Sequence, residues 1–266
     1  MSLAFRSGPF GDHPRGVSNA TLPRHVLYFE DTPKRVRVVF HGETVADSRN
    51  VKVLHETGQV AAYYFPQGDV RPGVLRAAGV RGGTNQKGTA AAYDVVVGER
   101  VARRAAWSYA DPAPAAAFLA GHVTLEWDEM DAWFEEDEQV FLEPRDPYHR
   151  VDVLRSSRHV RVEVANELVA ESRRPRLLVE TGARPRYYLP ADDVRTDLLV
   201  ESDTRTRCQY KGLASYWSVR AGGGLIDDLV WSYRQPLHDG DPIADMLCLP
   251  QEHDRVLVEV DGEPVA

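Results

Sequence analysis

VRVVFHGETVADSR at positions 36–49 returns as VRVEVANELVAESR at 160–173. In both copies apolar side chains fall at every second position, Val36, Val38 and Phe40 in one and Val160, Val162 and Val164 in the other. A two-residue break follows, His41-Gly42 or Ala165-Asn166, and then a second apolar run. Period two is the alternation of a strand with one buried face. Two such runs around a short break predict a hairpin, and here the hairpin is predicted twice.

Sliding the chain along itself by 124 residues lays 36–112 over 160–236 without a gap, and 29 of the 77 positions are identical. LHETG lies over LVETG, YYFPQGDVR over YYLPADDVR and WSYADP over WSYRQP. A period this long means two whole domains rather than a solenoid of short repeats. A further hairpin is predicted in YDVVVGERVARRAAWSY and in WSVRAGGGLIDDLVWSY, with Gly supplying the turns. Helical signal is confined to single turns in DVRPGVL and DVRTDLL and to PAPAAAFLAG. The fold class is therefore all-β, with about six short strands in each of two tandem domains. The predicted organisation is an N-terminal extension over 1–35, a first repeat domain over 36–142, a linker over 143–159 and a second repeat domain over 160–266. The extension is expected to drape over the first repeat, with HVLYFED adding one strand.

The chain has 266 residues, 43% of them apolar, and a net charge of −8. Nucleic-acid and anionic-membrane partners are disfavoured, because both need clustered Lys and Arg rather than an acidic field. No run approaches the roughly 18 apolar residues of a membrane span, and MSLAFRSGPFGDHPRG has no apolar core of a signal peptide. A cytoplasmic protein is expected. Cys208 and Cys248 are the only cysteines, so free thiols are expected rather than a disulfide framework. None of the nine histidines has the spacing of a metal-binding helix. No metal site and no cofactor is predicted, and the oligomeric state is left open.

The order VxxxGxxVAxS, ExG, YYxPxxDV, CxYKGxASYW and AWSYxxP resembles the family called domain of unknown function 427. The resemblance covers roughly 36–140 and 160–266. It implies an all-β, tent-like or pseudobarrel domain and says little about chemistry. The first repeat departs from the pattern where Thr84 and Gln86 stand in place of Cys208 and Tyr210. That departure casts the first repeat as a supporting domain with a degenerate site, and the second as the one with a furnished pocket for a small-molecule ligand.

Within the second repeat, Glu180 follows the apolar run LLV and precedes Thr-Gly. A carboxylate at a strand end can sit at a pocket rim, where partial burial raises its pKa toward that of a working acid or base; it can equally accept turn amides or an arginine. Lys211 beside Gly212 places a point charge next to a backbone that can approach a ligand closely, which suits a carboxylate or phosphate. Lys-Gly is also an ordinary turn, and no phosphate-binding loop precedes it. Cys208 becomes a nucleophile if Lys211 lowers its pKa and if the fold brings His238, far off in sequence, near enough to serve as its base; otherwise it is a small buried hydrophobe. In Tyr187-Tyr188 and Tyr216-Trp217 adjacent side chains face opposite ways, so one of each pair enters the core. Tyr188, Tyr210, Tyr216 and Trp231 are the candidates for shaping the pocket. Arg195 is a candidate ligand contact or the partner of Asp193 in a turn. The acid-rich EWDEMDAWFEEDE (126–138) reads as a solvated edge strand or a docking surface. The function expected from these residues is acid–base chemistry on a small polar or anionic metabolite, with a noncatalytic binding module as the alternative.

Overall fold

The breaks at His41-Gly42 and Ala165-Asn166 are hairpin turns with left-handed backbone at both positions, φ 50° and 75° in one and 49° and 66° in the other. Two successive positive φ values give the turn whose twist matches that of the strands it joins. The computed structural model describes residues 17, 19, 21, 23–84 and 86–265. Most of the extension expected to drape over the first repeat lies outside the described residues. HVLYFED does contribute a strand.

Two structural units meet between Asp146 and Pro147. The first contains β1 (Leu27–Asp31), β2 (Val36–Phe40), β3 (Glu43–Ser48), β4 (Lys52–Glu56), β5 (Ala62–Pro66), β6 (Leu75–Thr84), β7 (Gly88–Val97), β8 (Arg100–Ser108), β9 (His122–Leu125), β10 (Ala132–Glu135) and β11 (Glu138–Val140). Seven strands form one sheet in the order β1-β4-β5-β9-β8-β7-β6, and four form another, β11-β10-β2-β3. The second unit repeats this pattern with β12 (Val151–Arg155), β13 (Val160–Val164), β14 (Glu167–Ser172), β15 (Arg176–Glu180), β16 (Arg186–Leu189), β17 (Leu199–Cys208), β18 (Gly212–Ala221), β19 (Gly224–Pro236), β20 (Leu247–Cys248), β21 (Val256–Val260) and β22 (Glu263–Val265). Its sheets run β12-β15-β16-β20-β19-β18-β17 and β14-β13-β21-β22. Each unit thus has nearly twice the expected six strands. The stretch 143–159, read as a linker, contains β12, which is the second unit's counterpart of β1.

The two sheets of each unit close over a core that both supply. In the first unit Val36, Val38, Val45, Phe65 and Val123 have no exposed surface; in the second Val160, Val164, Val169 and Val219 have none. Each such valine contributes about 1.5 kcal/mol or more through burial. The outer face of each large sheet carries a smaller cluster, Leu54, Tyr64, Tyr109 and Leu119 or Leu178, Tyr188, Tyr233 and Ile243. Adjacent tyrosines separate as the alternation requires, Tyr63 to the main core and Tyr64 to the outer cluster, Tyr187 and Tyr188 likewise. A short 3-10 segment supplies residues to each outer cluster, Pro114–Leu119 in one unit and His238–Ile243 in the other. Among the described residues no helix is long and apolar enough to cross a membrane.

The acid-rich stretch 126–138 is not an edge strand. Its middle forms β10, an interior strand between β11 and β2. The buried Trp133 holds it there, stacked on Trp127 with ring centroids 4.3 Å apart. The alternation of Ala132, Trp133 and Phe134 outweighs the flanking charge.

Candidate functional site

Glu180 is the last residue of β15, Lys211 lies in the turn between β17 and β18, and His149 stands two residues before β12. The sheet brings all three together. The Lys211 ammonium ion-pairs with one oxygen of Glu180, and Nε2 of His149 lies 3.1 Å from the other. The first unit builds the same trio: Lys87 pairs with one oxygen of Glu56, and His25 Nε2 lies 3.2 Å from the other. In both units each step of the His, Glu, Lys series is 31 residues long. The histidines were not among the residues expected in the site. Their signal is slight: upstream of the hairpins, His25 over His149 is the one identity between 25–35 and 149–159.

Two expectations about this centre are corrected. Burial acts most strongly on Glu180 and pushes its pKa up, but the His149 hydrogen bond and the Lys211 charge together outweigh it. The carboxyl is held below its ordinary range, not raised above it. The Lys-Gly pair also has a different reason from close ligand approach. Gly212 has φ 96°, and a Cβ there would lie 3.3 Å from the Leu237 backbone nitrogen, which donates to the Lys211 carbonyl. Gly88 has φ 86°, and a Cβ there would lie 2.9 Å from the Ala113 nitrogen, which donates to the Lys87 carbonyl. The glycine makes room for the chain's own loop.

The units differ in how open the trio is. In the second, the Tyr210 ring stacks on His149 at 3.7 Å between centroids, and the histidine side chain is fully buried. Gln86 takes the place of Tyr210 in the first unit and is exposed, and the His25 side chain keeps 31% of its surface. Glu56 and Lys87 open into a cavity of about 250 Å³ walled by Tyr63, Tyr64, Trp107 and Trp127, with Arg81 and Glu126 at hand. Arg81 lies 3.9 Å from the Trp107 ring centre and donates to Glu126 at 2.9 Å. The first unit therefore leaves its histidine partly exposed, while in the second Tyr210 covers it; the two carboxylates are equally buried, keeping 9% and 10% of their side-chain surface. The side chain of Thr84 lies outside the described residues.

The other candidates are scattered around the second unit. Tyr188 is buried within the outer cluster and accepts a hydrogen bond from Trp231 Nε1 at 3.0 Å; burial raises its pKa. Tyr216 shares a hydrogen bond with Thr206 at 2.9 Å and lies near Trp231, whose ring faces the Arg186 guanidinium at 5.6 Å. Cys208 packs against the cluster of Leu178, Tyr188 and Tyr233, the lysine meant to activate it is engaged by Glu180, and His238 is almost fully exposed beside Asp241. Arg195 does not bond Asp193. It is exposed and pairs with Asp197 at 2.6 Å, while Asp193 receives Ser172 and Arg174. Ser172–Asp193 repeats Ser48–Asp69 of the first unit, which marks it as part of the scaffold.

Two all-β units with one sheet topology and one buried trio apiece define a tandem duplicated protein. The family model described as domain of unknown function (DUF427) matches residues 28–136 and 152–263, and the chain belongs to that family. Among curated proteins no match was found.

Proposed function

We propose that the chain takes a small polar metabolite into the cavity of the first unit and acts on it by acid–base chemistry, as a hydrolase, lyase or transferase. Glu56 is the group that exchanges the proton, with His25 and Lys87 fixing its orientation from either side, in the logic of a base held by its neighbours. Lys87 brings a positive charge to the wall of the cavity, which suits a ligand with an anionic or electronegative group. Tyr64 and Trp107 form the aromatic wall. The observation that carries this reading is that Glu56 and Lys87 line a cavity, beside a histidine that is partly exposed where Tyr210 covers its counterpart in the second unit. The working site accordingly moves from the second repeat to the first.

A noncatalytic binding role is the second reading. The lowered pKa of Glu180 favours it for the second unit, because a carboxylate held ionised between two partners is a better charge anchor than a proton donor.

A thermal-shift screen of polar metabolites tests both. A ligand at about 100 times its dissociation constant adds about 2.7 kcal/mol of stability. Hits should lose that increment in Glu56→Gln and keep it in Glu180→Gln. Increments lost only in the Glu180 variant would end the first-unit reading; binding without turnover would select the second.

A further inference from the structure

Arg155, the last residue of β12, stands directly opposite Arg176, the first residue of β15. Opposite residues of an antiparallel pair share a face about 5 Å apart at Cβ, where like charges repel. Among the described residues neither guanidinium has a carboxylate within ion-pairing distance. The duplication supplies its own comparison. The corresponding residues of the first unit, Asp31 of β1 and Lys52 of β4, are also opposite in register, and they form an ion pair. One scaffold thus carries complementary charges in one copy and a repelling pair in the other, within a chain whose net charge is −8.

The two arginines line a cavity of about 450 Å³ with Ser156, Arg174, Pro175, Pro190 and Met246, and no carboxylate shares that lining. Arg174 is answered by Asp193, its nitrogens 2.8 and 3.1 Å from the carboxylate oxygens. The charges of Arg155 and Arg176 remain to be met. Glu180, at the far end of β15, is about 13 Å away at some 3.3 Å per residue, so this is a separate place from the trio.

We propose that this cavity is a binding site for a phosphate-type oxyanion, held between Arg155 and Arg176. Each guanidinium is a planar fork of donors. A carboxylate has two oxygens and satisfies one fork, whereas a tetrahedral phosphate presents separate edges to both. The cavity is roomier than a lone anion requires, and Met246, Pro175 and Pro190 offer apolar contact to whatever bears the phosphate. The anion comes either free or on a small organic carrier.

Calorimetric titration of the full chain at low salt with inorganic phosphate, and separately with glycerol 3-phosphate, tests the site. Saturable binding of at least one probe at one site per chain is expected. Arg155→Asp restores the charge pairing of the first unit, so it should fold with a higher melting temperature in anion-free buffer and bind at least tenfold more weakly. Arg173→Asp makes the same change of charge at an exposed position outside the cavity and should bind as the wild type does. Tighter binding of glycerol 3-phosphate assigns the site to a carried phosphate, and equal binding assigns it to the free anion. The proposal falls if neither probe saturates, if Arg155→Asp binds undiminished, or if Arg173→Asp weakens binding equally.

Discussion

Glu180 shows how a single carboxyl can be legible in place and misread in state. Its position after an apolar run beside Thr-Gly is enough to bring it to Lys211, because the strand end and the turn are both written in the local pattern. Its protonation depends on what else arrives, and the decisive arrival, His149, stands outside the aligned hairpins. Because the folded-state pKa of Glu180 is lowered, the carboxylate contributes stability above its unfolded pKa, and that contribution is lost as pH falls through the lower folded value. In urea unfolding, Glu180→Gln should cost about 3 kcal/mol at pH 7, since it leaves Lys211 buried without its counter-charge. The gap from wild type should hold steady above pH 5 and narrow below pH 4. A gap that ignores pH would show that the pairing with Lys211 does not govern stability here.

At the level of strands and turns, the long alternating runs announced themselves and the short ones did not. β20 has two residues and β11 and β22 three each, too few to display a period, and they exist because longer neighbours present unpaired edges. β12 was hidden by the prolines and charges just before it. The turns carry a sharper lesson in packing. Ala165 sits at φ 49°, and a Cβ at Gly222, itself at φ 59°, would lie 2.7 Å from the Ala165 methyl. Gly223 has φ 80° and open space around it. Gly222→Ala should therefore lose about 2–3 kcal/mol, from strained backbone and overpacking together, against about 1 kcal/mol for Gly223→Ala. Adding Ala165→Gly should return about 1 kcal/mol of the loss at Gly222 in a double-mutant cycle on chemical unfolding. Additive effects would place the clash elsewhere.

Across the whole chain, the duplication was the most readable fact. Comparing TNQKGTAAAY with CQYKGLASYW counts side chains retained, and retention suggested that the richer copy holds the working pocket. Folding adds the direction in which those side chains point, and Tyr210 points onto the histidine. This stacking also labels the two centres magnetically. An imidazole lying flat beneath a phenol ring sits in the shielding cone of its ring current, so the carbon-bound ring protons of His149 should resonate well upfield in proton NMR. Those of His25, on which no tyrosine ring among the described residues is stacked, should keep ordinary shifts, and one spectrum then reads each half of the molecule separately.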